Sequence, residues 1–271
     1  MLTWNARAVG EVLKVPTATD DKYSRGVLGV YTGSIEFPGA ALLGVEAAAR
    51  TGVGMIRYLG TASAAVIARR PETVTASGRV QAWLIGSGIA RLPPSDPVLA
   101  EAIASGVPLV LDAGALWHET LALFDGALAQ AHSGQPATRI LTPHAGEAAR
   151  LLGCTRSELE ADRSHAAQEL AERTGATVLL KGSVSIVAQS GTEQIELGPA
   201  TPWLATAGTG DVLAGIVGAV LATSASAEPQ AIAASAAWLH DAAARRASGG
   251  GPIVALDVAE ALPETIRSVL G

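Results

Sequence analysis

Asp211 stands within Ala205-Thr206-Ala207-Gly208-Thr209-Gly210-Asp211-Val212-Leu213-Ala214-Gly215, a run of small residues that delivers one carboxylate to the start of an apolar helix. Glycines let backbone N–H groups approach an anion, and the positive end of the following helix adds to the attraction. Such a turn suits a phosphate, whereas a carboxylate beside it repels one. The conflict resolves if Asp211 takes a proton from a hydroxyl that then attacks a phosphoryl group. Alternatively Asp211 caps the helix, a position that Asp favours. The segment on its own leaves both readings open.

A second stretch, Leu141-Thr142-Pro143-His144-Ala145-Gly146-Glu147, ends an apolar run at a proline. His144 and Glu147 lie three apart, so a helix beginning there projects both from its first turn. Glu147 would suit a magnesium ion beside phosphate, since magnesium takes a few carboxylates and several waters. It would equally complement the helix dipole, with His144 as a cap. Lys181-Gly182-Ser183-Val184-Ser185 follows another apolar run and places an ammonium group and free backbone donors where a nucleotide can lie, unless Lys181 simply reaches solvent. Asp112 also ends an apolar run, a costly place for a charge that is neither paired nor bound to something. His118, His132, His165 and His240 show no metal-ligand spacing and read as structural or solvated. Trp203 reads as packing, or as an edge for a ring-shaped ligand.

Positioning these groups requires a frame. Apolar runs of strand length recur at 27–31, 54–59, 80–85, 108–111, 139–142 and 176–180, between alanine-rich helical stretches. Their continuous apolarity predicts strands covered on both faces, hence an α/β fold with a mostly parallel sheet. Ligands in such sheets sit at the strand C-terminal ends. Thr32-Gly33-Ser34, Gly86-Ser87-Gly88 and Asp112-Ala113-Gly114 fall at that edge, beside the segments above. After Lys181, alternating runs at 185–188 and 192–197 predict an antiparallel hairpin and so a mixed sheet. Helices predicted over 210–222, 229–247 and 257–270 close the chain.

Composition narrows the function classes. At 271 residues, with 49 % hydrophobic and 4 % aromatic residues, the chain is read as one globular domain over 1–271. A net charge of −6 provides no basic field for nucleic acid or an anionic membrane. A nucleotide remains open to it, because backbone dipoles can bind one. Cys154 is the single cysteine, so neither an intramolecular disulfide nor a multi-cysteine zinc site forms, as fits a reducing cytoplasm. The first residues lack the pattern of a secretory signal, and the apolar run 212–222 is well short of the ~20 residues that span a bilayer. No Walker A pattern occurs, and Gly86-Ser87-Gly88-Ile89-Ala90-Arg91 lacks the third glycine of the dinucleotide fingerprint. Gly88 therefore counts only by its place at the strand end.

Together, Thr142-Pro143-His144-x-Gly146-Glu147, Lys181-Gly182 and Gly208-Thr209-Gly210-Asp211 resemble the NAD(P)H-hydrate dehydratases of the ribokinase-like superfamily. The resemblance runs from Lys22-Tyr23-Ser24-Arg25-Gly26 and Gly39-Ala40-Ala41 through Asp112-Ala113 to the last helices. It implies a three-layer α/β/α sandwich around a mostly parallel sheet. The implied activity is ADP-dependent dehydration of the S epimer of hydrated NADH or NADPH. In it Asp211 activates the C6 hydroxyl, which accepts a phosphoryl group from ADP (or ATP) before phosphate leaves. By the same resemblance Lys181, Gly182, Ser183, Val184 and Ser185, with Gly208, Thr209 and Gly210, hold the nucleotide. Ala40, Gly88, His144 and Asp211 hold the hydrate, and Glu147 supports Mg2+ and phosphate. A cytoplasmic homotetramer is implied, served by a separate epimerase because no fused epimerase domain is expected. The chain departs from the family pattern at Asp21, Gly114, Ala207 and Trp203, and in Gly86-Ser87-Gly88-Ile89-Ala90. Two other readings stand beside this one: a vitamin-precursor kinase of the same superfamily, and a catalytically silent nucleotide-binding protein.

Overall fold

Successive residues of the apolar runs point to opposite faces of one sheet, and both faces are buried. Leu28, Val30, Leu84, Val110, Ile140 and Leu179 enter one core, while Val27, Trp83, Ile85, Leu109, Leu111, Val178 and Leu180 enter a second. Each such side chain contributes roughly 1.5–3 kcal/mol by leaving water.

The computed structural model describes residues 2–128, 137–224 and 226–271. Its strands are β1 (Leu2–Thr3), β2 (Val27–Tyr31), β3 (Met55–Tyr58), β4 (Ala82–Ile85), β5 (Leu109–Leu111), β6 (Arg139–Leu141), β7 (Thr177–Leu180), β8 (Ser185–Ala188) and β9 (Ile195–Leu197). They form one sheet in the order β1-β9-β8-β7-β6-β5-β4-β2-β3, in which only β8 runs against its neighbours among the described residues. The helices are α1 (Ala6–Val12), α2 (Pro38–Thr51), α3 (Ser63–Arg69), α4 (Pro97–Ala104), α5 (His118–Leu128), α6 (Ala145–Leu152), α7 (Arg156–Ala161), α8 (Arg163–Thr174), α9 (Thr209–Thr223), α10 (Pro229–Ser248) and α11 (Ala255–Leu270). Residues of α2, α9, α10 and α11 complete the first core, and residues of α4, α6 and α8 the second. The result is the expected three-layer arrangement around a mixed sheet.

Two differences from expectation concern the sheet's far edge. The second hairpin strand is shorter than 192–197, because Thr192 N–H turns back to the Gln189 carbonyl and pairing begins at Ile195. Beyond β9 lies β1, paired in parallel as Leu2 with Ile195 and Thr3 with Glu196. Two residues carry no periodicity, so this strand has no sequence signature. His132 lies outside the described residues. Among those described, no helix is long and apolar enough to cross a membrane.

α2 and α9 touch backbone to backbone: a Cβ on Gly215 would stand 2.4 Å from the Gly44 carbonyl oxygen. This contact fixes the two helices that carry Ala40 and Asp211. A buried carboxylate fixes α2 further, since Glu46, with a side chain 0 % exposed, is ion-paired with Arg50, Arg69 and Arg70, and Arg69 also reaches Glu260 on α11. Burial works against the Glu46 charge, but the hydrogen bonds and charges of Arg70 and Arg50 outweigh it and lower its pKa. Glu46→Gln is expected to cost about 2 kcal/mol, less than for a pair buried on both sides because the arginines stay partly hydrated. A lowered acid stabilises above its unfolded pKa and loses that contribution as pH falls through the folded one. Urea unfolding of both proteins should therefore show the gap at neutral pH and its closure in acid.

Candidate active site

The turns after β4, β5, β6 and β7 meet at one buried carboxylate. Asp112, with a side chain 3 % exposed, accepts hydrogen bonds from Ser87 Oγ at 2.8 Å, Thr142 Oγ1 at 2.8 Å and Lys181 Nζ at 2.7 Å. Lys181 N–H donates to the Pro143 carbonyl, and a short bridge joins His144 to Lys181, which brings the ends of β6 and β7 side by side. Burial opposes the Asp112 charge, yet the Lys181 ammonium and these hydrogen bonds lower its pKa. Lys181 does not reach out to solvent. Burial opposes its charge too, but the charges of Asp112, Glu147 and Asp211 keep it protonated, with a raised pKa. The paired Asp112 thus holds the lysine at the head of the strands.

Gly208, at φ 88°, turns the chain into α9 and stands at its N-cap, a conformation that glycine adopts without strain. Thr209 Oγ1 donates to the Leu204 and Thr206 carbonyls and closes the loop on itself. Asp211 is the third residue of the helix and not its cap, so the capping reading falls away. No hydrogen bond holds its carboxylate among the described residues. Burial, and then the Asp112 charge, push its pKa up to about 6, with Lys181 pulling the other way. A Cβ on Gly210 would lie 3.7 Å from Lys181 Nζ, so the ammonium rests against the start of α9.

His144 and Glu147 realise the local roles that their positions allowed. His144 Nδ1 accepts from Gly146 N–H and Glu147 N–H, while Glu147 Oε2 accepts from His144 N–H, a reciprocal cap at the start of α6. The His144 side chain is nonetheless 61 % exposed and its Nε2 stands 3.4 Å from Glu147 Oε1. On the other flank Gly88 faces Ala40 so closely that a Cβ at 88 would come within 2.3 Å of the alanine methyl. Only glycine allows that approach.

A cavity of about 780 Å³ opens beside Lys181. Six of the eight residues expected at a nucleotide line it: Lys181, Gly182, Ser183, Ser185, Thr209 and Gly210. Val184 and Gly208 are not on its wall. The Val184 carbonyl accepts from Arg163 of α8, and Gly208 backs onto Leu43 of α2.

A sequence profile described as NAD(P)H-hydrate dehydratase matches residues 28–264. The chain belongs to the NAD(P)H-hydrate dehydratase family. It is 43 % identical over 229 residues to a bifunctional NAD(P)H-hydrate repair enzyme of Mycobacterium tuberculosis, covering 82 % of this chain and 46 % of that protein. It is 37 % identical over 246 residues to an ADP-dependent (S)-NAD(P)H-hydrate dehydratase of Neisseria meningitidis, covering 86 % of this chain and 81 % of that one. The chain spans about half the length of the bifunctional relatives. Among solved structures, an ADP/ATP-dependent NAD(P)H-hydrate dehydratase of Bacillus subtilis, co-crystallized with ATP/Mg2+, superposes with TM-score 0.85 at 24 % identity, over 98 % of each chain. A ribokinase-like superfamily protein of Enterococcus faecalis gives 0.80 at 21 % identity, over 98 % of this chain and 95 % of that one. The fold of this dehydratase-family chain is ribokinase-like.

Several cavity residues had no signal in the sequence. Thr3 and Trp4 come from the chain's first residues, and Trp238, His240, Asp241 and Arg245 from α10. Ala237, Asp241 and Arg245 recur at helical spacing on one face, but spacing does not say which element that face meets. Trp203 is 42 % exposed and enters neither core; Pro202 and Leu204 line the cavity in its place. Among the described residues no three His, Cys, Asp or Glu side chains converge as a metal site. The carboxylates whose charges act on Lys181 are those of Asp112, Glu147 and Asp211, a donor type that would suit a magnesium ion arriving with phosphate and water ligands.

Proposed function

We propose that this family member dehydrates the S epimer of hydrated NADH or NADPH at the expense of ADP. The observation that carries the reading is Asp211: a carboxylate in the first turn of α9, without a hydrogen bond among the described residues, its pKa raised to about 6, and set beside Lys181. A general base works best with a pKa near the operating pH. In this reading Asp211 takes the proton of the C6 hydroxyl, whose oxygen attacks the β-phosphorus of ADP as AMP leaves. The start of α9 and Lys181 stabilise the charge on the transferring group. The ring nitrogen then expels inorganic phosphate from C6, and loss of the C5 proton restores the double bond. Magnesium, supported by Glu147, would screen the phosphate charges. Ala40, Gly88 and His144 hold the hydrate, and Lys181, Gly182, Ser183, Ser185, Thr209 and Gly210 hold the nucleotide. Val184 and Gly208, off the cavity wall, shape the chain around it: Gly208 turns the backbone into α9 and the Val184 carbonyl holds Arg163.

The wider setting belongs to the same proposal. An epimerase activity supplies the S epimer, and the enzyme works in the cytoplasm as a homotetramer. Ile35, 89 % exposed, and Phe37, 55 % exposed, form an apolar surface before α2 that such an assembly would cover. The test is near-ultraviolet absorbance after mixing protein, magnesium and hydrated NADH with ADP or with ATP. Recovery of the reduced-nicotinamide band with ADP is expected, with release of inorganic phosphate. A stable phosphate ester would indicate a kinase, and recovery with ATP alone would replace the donor.

A further inference from the structure

An arginine that does not line the cavity holds the segment that does. Arg163 is the first residue of α8, directly after the N-cap Asp162, whose carboxylate accepts from His165 N–H and fixes the helix start. The Ser164 carbonyl accepts from Gln194 Nε2 at 2.8 Å, which ties that start to the turn between β8 and β9. The Arg163 side chain is 18 % exposed. Its Nη2 donates to the carbonyls of Lys181 at 3.0 Å, Val184 at 3.3 Å and Leu180 at 3.4 Å, while Nη1 reaches Glu160 Oε2 at 3.0 Å. One guanidinium thus gathers the carbonyls of the segment that leaves β7 and enters β8.

The side from which it does so decides what the segment offers a ligand. α8 buries Ala166, Ala167, Leu170 and Ala171 in the second core, whereas α10, which walls the cavity, buries Ala233 and Ala236 in the first. Arg163 therefore approaches from the face of the sheet opposite to the cavity. A trans peptide is planar, with its C=O and N–H pointing in opposite directions. Since the Lys181 carbonyl is held on the Arg163 side, the Gly182 N–H of the same peptide points to the other side, and it donates no hydrogen bond among the described residues. Phosphate oxygens are acceptors, so this N–H suits one and a carbonyl in its place would repel it. Glycine at 182 is what admits the guanidinium, because a Cβ there would stand 2.5 Å from Arg163 Nη2.

We propose that Arg163 is a positioning residue for the phosphoryl donor: by holding the Lys181 and Val184 carbonyls on the α8 side, it keeps the Gly182 N–H presented to the phosphates of the nucleotide. This inference rests on the nucleotide reading of the cavity. Arg163 acts through the segment and not by contact with the ligand. A segment set in advance spares the cost of ordering it on binding, so the effect belongs to donor affinity before it belongs to the chemical step.

Calorimetric titration with ADP, and with adenosine as its competitor, in the presence of magnesium, tests this on the wild type, Arg163→Ala, Arg163→Lys, Gly182→Ala and the double variant Arg163→Ala, Gly182→Ala. Arg163→Ala is expected to weaken ADP about tenfold and adenosine less than about twofold, because only ADP carries the phosphates. Arg163→Lys, which keeps a donor for the carbonyls, is expected to recover part of the loss. Gly182→Ala crowds the guanidinium without removing its charge and should weaken ADP to a similar degree, yet add less than about twofold once residue 163 is alanine. In turnover, Arg163→Ala should raise KM for ADP by more than it lowers kcat. Should Arg163→Ala fail to fold, Arg163→Lys and Gly182→Ala carry the same comparison of ADP with adenosine. A role in packing alone would weaken ADP and adenosine equally, and that result overturns the proposal. Full recovery in Arg163→Lys with Gly182→Ala unaffected overturns it too, in favour of charge. Failure of wild type to bind ADP at all would overturn the nucleotide reading itself. Wild-type ADP affinity in a folded Arg163→Ala removes only the positioning role.

Discussion

Replacing Asp211 with asparagine is expected to abolish turnover, leave nucleotide affinity nearly intact and raise the unfolding midpoint at pH 7. The side chains are nearly isosteric, and the amide cannot accept the proton, so a loss of about 10²–10⁴ in rate is the minimum expected from removing a general base. The gain in stability follows from the raised pKa of about 6 against an ordinary 3.8. A raised acid contributes stability that is full below its unfolded pKa and is lost as pH rises through the folded one. At pH 7 the ionised Asp211 therefore burdens the fold by on the order of 2 kcal/mol, which asparagine relieves. Thermal unfolding should show the variant ahead at pH 7 and the difference gone near pH 4. The same group sets the wild-type profile, with kcat/KM rising as pH passes upward through about 6. Equal midpoints for the two proteins at pH 7 would mean that Asp211 carries no buried charge.

Lys181→Met is expected to be the most damaging single change to the strand-end network. It leaves Asp112 buried with hydrogen bonds from Ser87 and Thr142 but no cation, and breaking a buried pair from one side costs about 3–5 kcal/mol. The double variant Lys181→Met, Asp112→Asn should recover most of that, because the remaining side chain is neutral and still hydrogen-bonded. Urea unfolding of the four proteins in a double-mutant cycle measures the coupling. ADP affinity should stay low in the double variant although its stability returns, and hydrate binding should suffer less than ADP binding. Recovery of both together would assign Lys181 a purely structural role.

The parts of this chain that could be read from sequence are those that repeat or that sit next to one another. Continuous apolar runs gave β2 its full extent and β4 to β7 to within one or two residues, because strands buried on both faces have nothing polar to interrupt them. The turn from Gly208 to Asp211 was visible as a unit, since glycines and the acid they deliver are adjacent. What was not visible came from elements that meet only in the fold. His240 looked like one more structural histidine until α10 brought it to the cavity wall, and Trp4 acquires its place only through β1 pairing with β9. Asp112 lay between: its cost as a strand-end charge was evident, but its partner Lys181 is 69 positions away.

That distance effect has a consequence for how the protein is made. Trp4 Nε1 donates to Ser235 Oγ across 231 positions, and Thr3 and Trp4 wall the same cavity as Trp238 to Arg245. At about 5–20 residues per second, translation separates those two sides of the wall by roughly 10–50 s. A nascent chain stopped after α9 carries Asp211 and Lys181 but lacks the α10 wall. The cavity is therefore complete only in polypeptides that have already emerged through α10.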